Sequence, residues 1–179
     1  MGFDDAPFEK VPDAAVPLCG IVTSGTRFEG MLWGRATRDG TDATDALAAL
    51  ALDSKFRPQL HVVLLDGITV GGLNVVDLPE LAARIGLPCL SVMRRLPNLD
   101  RMRHVVERLP DGAERWARLE RAGPVHERGG FVFQIAGATP EDGEAALKAL
   151  TDRGRVPEPL RLAHLIGSAV ITGQSSKRA

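Results

Sequence analysis

The chain has 179 residues, of which 44% are apolar and 25% charged, and its net charge is −1. That size and composition suit one globular domain with its own core, and they exclude a disordered or fibrous chain. The near-neutral balance excludes attraction to nucleic acid through bulk charge, so any phosphate contact must come from a local basic face.

In chain order, Leu18–Thr23 and Arg27–Arg35 are predicted strands. Ser24-Gly25 joins them as a short polar turn, which makes the pair an antiparallel hairpin. After Asp39-Gly40, Thr41 or Asp42 is placed to cap a helix through Ala43–Leu52. Leu60–Leu65 is a continuous apolar, β-branched run ending at Asp66-Gly67, the pattern of a central strand covered on both faces. His61 within that run is expected to be a satisfied core residue. A helix over Asp77–Ile85 with a stop at Gly86 leads to a second buried strand, Cys89–Met93. Strand, helix, strand in this order predicts a parallel crossover.

Two helical segments follow, Asn98–Leu109 and Gly112–Arg121, broken at Pro110-Asp111-Gly112. Phe131–Ala136 is a further strand, and Thr139–Arg153 a helix with Thr139 as its cap and Pro140 in its first turn. The last helix is predicted from Pro157 or Glu158 to about Ile171, and the polar tail Gln174–Ala179 is expected to fray. A hairpin followed by parallel strands alternating with helices is a mixed-sheet α/β order, here in one domain over residues 1–173. Cys19 and Cys89 sit in apolar stretches and are expected as buried thiols. The apolar runs are far shorter than the ~20 residues a bilayer requires. The N-terminus lacks the basic start and apolar centre of a secretion signal, so the cytoplasm is the expected location.

Carboxylates meet turns or strand ends at Asp4-Asp5, at Asp39 and Asp42, at Asp66, and at Glu158 between two prolines. Asp66 is the most informative, because open α/β sheets bind ligands at the carboxyl ends of their strands. Mg²⁺ takes one or two carboxylates together with water and phosphate oxygens. From spacing alone, a plain turn at Asp66-Gly67 remains the simpler role. No Cys/His cluster suggests structural zinc, and no serine or cysteine nucleophile motif is present. Arginines gather after Cys89–Met93, at Arg94, Arg95, Arg101, Arg103 and Arg108, with Lys177 and Arg178 at the tail. Interspersed acids make most of them a solvated helix face. Arg94 and Arg95, near a strand's carboxyl end, are retained as phosphate-binding candidates.

Three segments in order resemble endonuclease V: Gly2-Phe3-Asp4, then Val63-Leu64-Leu65-Asp66-Gly67 leading to Ile85-Gly86-Leu87-Pro88, then Val156-Pro157-Glu158-Pro159-Leu160-Arg161-Leu162-Ala163-His164. The whole chain is more similar to a sister family, endonuclease dU. That similarity is carried by Gly2-Phe3-Asp4-Asp5-Ala6-Pro7-Phe8, Gly40-Thr41-Asp42-Ala43-Thr44, Leu65-Asp66-Gly67-Ile68-Thr69 and Pro157-Glu158-Pro159-Leu160-Arg161. The resemblance implies a ribonuclease-H-like mixed sheet with helices on both faces. It also implies a Mg²⁺- or Mn²⁺-dependent nick in DNA near a deaminated base, deoxyuridine in the sister family.

By match, Asp4 and Asp66 would be metal ligands and catalytic residues, and Arg35 and Arg161 fall on basic positions, with Arg94 near a third. Together with Arg95, these are the expected nucleic-acid contacts. Two family groups are absent: the glutamate position falls on Ala36, and the later histidine on Gly137-Ala138. Asp39, as a metal ligand, or Asp42, as a catalytic group, is the expected replacement carboxylate. The wedge region reads Arg27-Phe28-Glu29-Gly30. Relatives usually carry an apolar run before the Gly-Phe-Asp segment, whereas this chain begins almost at the aspartate. The expected activity is therefore an endonuclease acting on DNA with a damaged base, extruded because a mismatched base costs least to unstack. Phe8, Phe28 and Trp33 are the stacking candidates, with Trp116 expected in helix packing. The alternative is a relative that binds nucleic acid without cutting, and a small-molecule site at the sheet edge is a third, weaker reading.

Overall fold

The computed structural model describes residues 1–176; the basic pair Lys177-Arg178 lies outside the described residues. Nine strands are described among them: β1 (Gly2–Asp5), β2 (Ala15–Ser24), β3 (Arg27–Thr37), β4 (Val63–Asp66), β5 (Thr69–Val70), β6 (Asn74–Val75), β7 (Cys89–Met93), β8 (His126–Arg128) and β9 (Phe131–Ala136). The helices are α1 (Ala43–Leu52), α2 (Leu78–Ile85), α3 (Leu99–Val106), α4 (Gly112–Arg121), α5 (Pro140–Ala149) and α6 (Glu158–Thr172). Seven strands form one mixed sheet in the order β3-β2-β1-β4-β7-β9-β8, and β5 and β6 make a separate hairpin. The β2–β3 hairpin is antiparallel as expected, β1 runs parallel to β4 and β4 to β7, and β7–β9–β8 is antiparallel.

The continuous apolar run before Asp66 is explained by burial on both sides of the sheet. Val63 and Leu65 join the larger core beneath α1 and α2, with Leu47, Leu78 and Leu81. Leu64 points the other way, into a second core with Leu90, Phe133, Leu147 and Leu160 under α5 and α6. Alternating side chains in a strand face opposite sides, so helices on both faces require an apolar residue at every position. The strand is shorter than the run: it starts at Val63, and His61 is exposed outside it rather than a satisfied core residue.

Other boundaries shift for local reasons. The α5 helix has the expected Thr139 cap, with Asp142 completing a reciprocal capping box, but it ends at Ala149 rather than Arg153. Cys19 and Cys89 are both buried and free. Trp116 is half-buried against the larger core, its indole N–H donating to Glu120 at 2.7 Å. Among the described residues, no helix is long and apolar enough to cross a membrane.

The resemblance implies that Asp4 stands on a strand next to that of Asp66, although the pattern of Gly2–Asp5 does not itself announce one; β1 lies at the centre of the sheet between β2 and β4. Its glycine has a packing reason: a Cβ on Gly2 would stand 2.9 Å from the backbone carbon of Pro159. The start of α6 therefore crosses β1 at closest approach, which lays this last helix directly over the strand that ends in Asp4 and Asp5.

Candidate metal centre

Phe3 pairs with Leu65 in the parallel β1–β4 ladder. The next residues in each strand, Asp4 and Asp66, therefore emerge side by side at the carboxyl ends of neighbouring strands, which run about 4.8 Å apart. From above, α6 brings His164, whose Nδ1 lies 2.9 Å from Asp4 Oδ2. One ligand atom from each of Asp4, Asp66 and His164 falls within 4.8 Å of the others. Two carboxylates and an imidazole converging in this way fit a divalent cation, whose charge would relieve their mutual repulsion.

The electrostatics agree with that fit. Asp4 is pushed up to about 7, first by burial, then by the charges of Asp66 and Asp5, with the His164 contact opposing. Burial likewise raises Asp66, while Arg94 and His164 hold it down. Burial also raises Asp5. Three carboxyl groups that resist ionisation at one strand edge mark a place where positive charge is wanted.

Sequence matching singled out Asp4 and Asp66, and the fold brings these two together. It missed two neighbours. His164 stood in the motif after Arg161, but nothing in its spacing shows that α6 folds back over β1. Asp5 lines the same cavity, of about 590 Å³, as Asp4, Asp66 and His164. Its Oδ2 accepts the Gly71 N–H at 2.6 Å.

Asp39 and Asp42 do not join this group. Asp42 accepts from the Thr37 N–H at 3.0 Å, the Thr37 hydroxyl at 2.9 Å and Asn74 Nδ2 at 2.7 Å, and makes no side-chain cap to α1. Asp39 accepts from the Leu73 N–H at 2.9 Å and lies 3.2 Å from Arg38. Both carboxylates brace the β5–β6 hairpin. Ala36 is buried, and Gly137-Ala138 offers no side-chain donor.

The arginines divide by place. Arg94 lines the cavity, 3.8 Å from Asp66 and more than half exposed. Arg95 lines a second cavity of about 720 Å³ together with Gly67, Met93, Asn98, Arg101 and Gln134. The two cavities share Thr69, just after Asp66. Arg161 is held by Glu158 through two contacts at 2.8 and 2.7 Å. Arg35, Phe28 and Trp33 lie on the outermost strand β3 and line neither cavity, whereas Phe8 lines the first.

Comparison with known proteins places this geometry among relatives. The family model described as "Endonuclease dU" matches residues 1–171. A UPF0215 protein of Deinococcus radiodurans is 44% identical over 177 residues, covering 98% of this chain and 90% of the relative. One from Methanothermobacter thermautotrophicus is 39% identical, covering 98% and 88%. Among solved structures, a protein from Archaeoglobus fulgidus superposes with a TM-score of 0.90 at 37% identity, over 96% of this chain and 97% of the other. Endonuclease V of Bacillus subtilis superposes at a TM-score of 0.58 and 13% identity, over 96% and 80%. Endonuclease V of Ciona intestinalis, solved with a 24mer DNA containing an inosine followed by a ribo-adenosine, gives 0.52 and 15%, over 90% and 81%. These last two likenesses establish the shared ribonuclease-H-like fold.

Proposed function

This chain belongs to the endonuclease dU family, and we propose that it hydrolyses a phosphodiester bond of DNA near a deaminated base, deoxyuridine, with Mg²⁺ or Mn²⁺ at the Asp4–Asp66–His164 site. The observation that carries the reading is the convergence of those three side chains within 4.8 Å at the strand ends. When bound, the cation supplies Lewis-acid stabilisation of charge on the scissile phosphate.

The protein's own groups have separable tasks. Asp4, Asp66 and His164 would hold the ion, and the contact of His164 Nδ1 with Asp4 keeps the two side chains turned toward each other. Arg94, beside Asp66 and reaching solvent, is placed to meet a phosphate oxygen. The adjoining cavity is of a size to receive an extruded base, with the Asn98 amide on its lining to meet the base edge and Arg95 and Arg101 to meet the flanking backbone. Water adds across one phosphodiester bond, leaving a phosphate on one strand end and a hydroxyl on the other. The expected home of this repair activity is the cytoplasm.

A second reading is a non-cutting binder of the same DNA, and the carboxylate-free Ala36 favours it. One experiment separates the two. Labelled duplexes containing deoxyuridine, deoxyinosine or neither are incubated with the protein and Mg²⁺ or Mn²⁺, beside Asp66→Asn. Nicking of one damaged duplex, lost in the variant and in chelator, supports the nuclease; binding of that duplex without nicking supports the binder.

A further inference from the structure

We propose that Arg115 is a positioning residue of the metal site, acting through the turn at 71–73 that holds Asp5; the inference rests on the metal-site reading above. Arg115 lies on α4 and is 6% exposed. Its Nε donates to Asp111 at 2.8 Å, its Nη2 to the Asp39 carbonyl at 2.7 Å, and its Nη1 to the Leu73 carbonyl. A guanidinium is costly to bury with a single carboxylate partner unless its remaining donors are used. Here they are spent on two main-chain carbonyls from segments that are far apart in sequence.

Those two segments are locked to each other. The Asp39 N–H donates to the Gly71 carbonyl at 2.9 Å, and the Asp39 carboxylate accepts the Leu73 N–H at 2.9 Å. The turn between them runs through positive φ at both glycines, 53° at Gly71 and 95° at Gly72. It carries no side chain of its own there with which to fix itself: a Cβ on Gly71 would meet Val16 at 2.5 Å, and one on Gly72 would meet Asp39 Oδ1 at 2.4 Å. Its shape is set from outside, by Asp39 and Arg115. The product of that bracing is a single N–H, that of Gly71, aimed at Asp5 Oδ2. Asp5 shares the cavity with Asp4, Asp66 and His164. The chain of contacts thus runs from α4 to a carboxylate beside the candidate ligands, and it gives Asp39 a bracing role in place of a ligating one.

The test uses the full chain and Mn²⁺ alone, with affinity read by titration calorimetry and the bound ion's environment by electron paramagnetic resonance. Arg115→Met is expected to weaken Mn²⁺ binding about tenfold, the lower end of what groups supporting a ligand set contribute, and to alter the spectrum. Asp39→Asn keeps an acceptor for the Leu73 N–H and is expected to bind within about twofold of wild type. Arg121→Met serves as the stability control, because it breaks a different α4 contact, to Asp77 at 2.5 Å, and should leave Mn²⁺ affinity unchanged. If Arg115 acts through Asp5, the double variant Asp5→Asn/Arg115→Met binds no more weakly than Asp5→Asn alone. Unchanged affinity in Arg115→Met, fully additive losses, or an equal loss in Arg121→Met would each overturn the positioning role while the site survives. A wild-type chain that binds no Mn²⁺ would overturn the site itself, and this inference with it.

Discussion

Replacing Asp4 by Asn should stabilise the metal-free protein while removing its ability to hold a metal. Asp4 is buried, and its carboxyl is raised from 3.8 to about 7. The folded state therefore binds a proton more tightly than the unfolded one. Between roughly pH 4 and pH 7 it carries more protons than the unfolded chain, so this group's contribution to stability falls as pH rises and is lost above 7. At about 1.4 kcal/mol per pH unit, ionising Asp4 costs the metal-free fold at most about 4 kcal/mol at pH 8. An asparagine keeps the shape and an acceptor for His164 without the charge. Urea unfolding in chelator should show Asp4→Asn more stable than wild type by up to about 4 kcal/mol at pH 8 and by less than about 2 at pH 5. Excess Mn²⁺ should stabilise wild type and not the variant, because ligands that bind only the folded state raise its stability. The reasoning fails if the variant is no more stable than wild type at pH 8, or if the gap between them does not change with pH.

His164→Ala should weaken Mn²⁺ binding by at least about tenfold in calorimetry with only a modest change in unfolding, since the imidazole contributes a ligand and orients Asp4. Wild-type Mn²⁺ affinity should rise with pH up to about 7, because protons compete for Asp4; a flat profile from pH 5.5 to 8 would speak against Asp4 as a ligand. Gly2→Ala should cost about 1–3 kcal/mol in thermal unfolding, because the added methyl meets the Pro159 backbone. The same shift of α6 should weaken Mn²⁺ binding. Binding of deoxyuridine duplexes should weaken steeply with salt, and Arg94→Met should lower that salt slope by about one phosphate contact.

The periodicity of the chain carried much of the architecture. The unbroken run Val63-Leu64-Leu65 announced a strand buried on both faces because only a sheet with helices on each side needs apolar residues in succession. The capping residues of α5 and the glycine after α2 were equally local signals. Shorter elements left no such trace. The strand β1 has four residues, two of them acidic, and its central place follows from pairing with β2 and β4 rather than from its own pattern. The two-residue strands β5 and β6 exist because Asp39, Asp42, Asn74 and Arg115 brace them.

The site divides in the same way. Asp4 and Asp66 became candidates through the family resemblance; of the two, only Asp66 closes an apolar run that is visible in one dimension. That Asp39 and Asp42 spend their carboxylates on backbone and amide donors became visible only when the 37–43 and 71–74 segments were seen packed together. Likewise, His164 stands 160 residues from Asp4 in sequence. Hydrophobic spacing determines which face of each element is buried; which side chains then meet depends on the order of strands in the sheet and on α6 crossing β1 at Gly2, and neither is encoded at any single position.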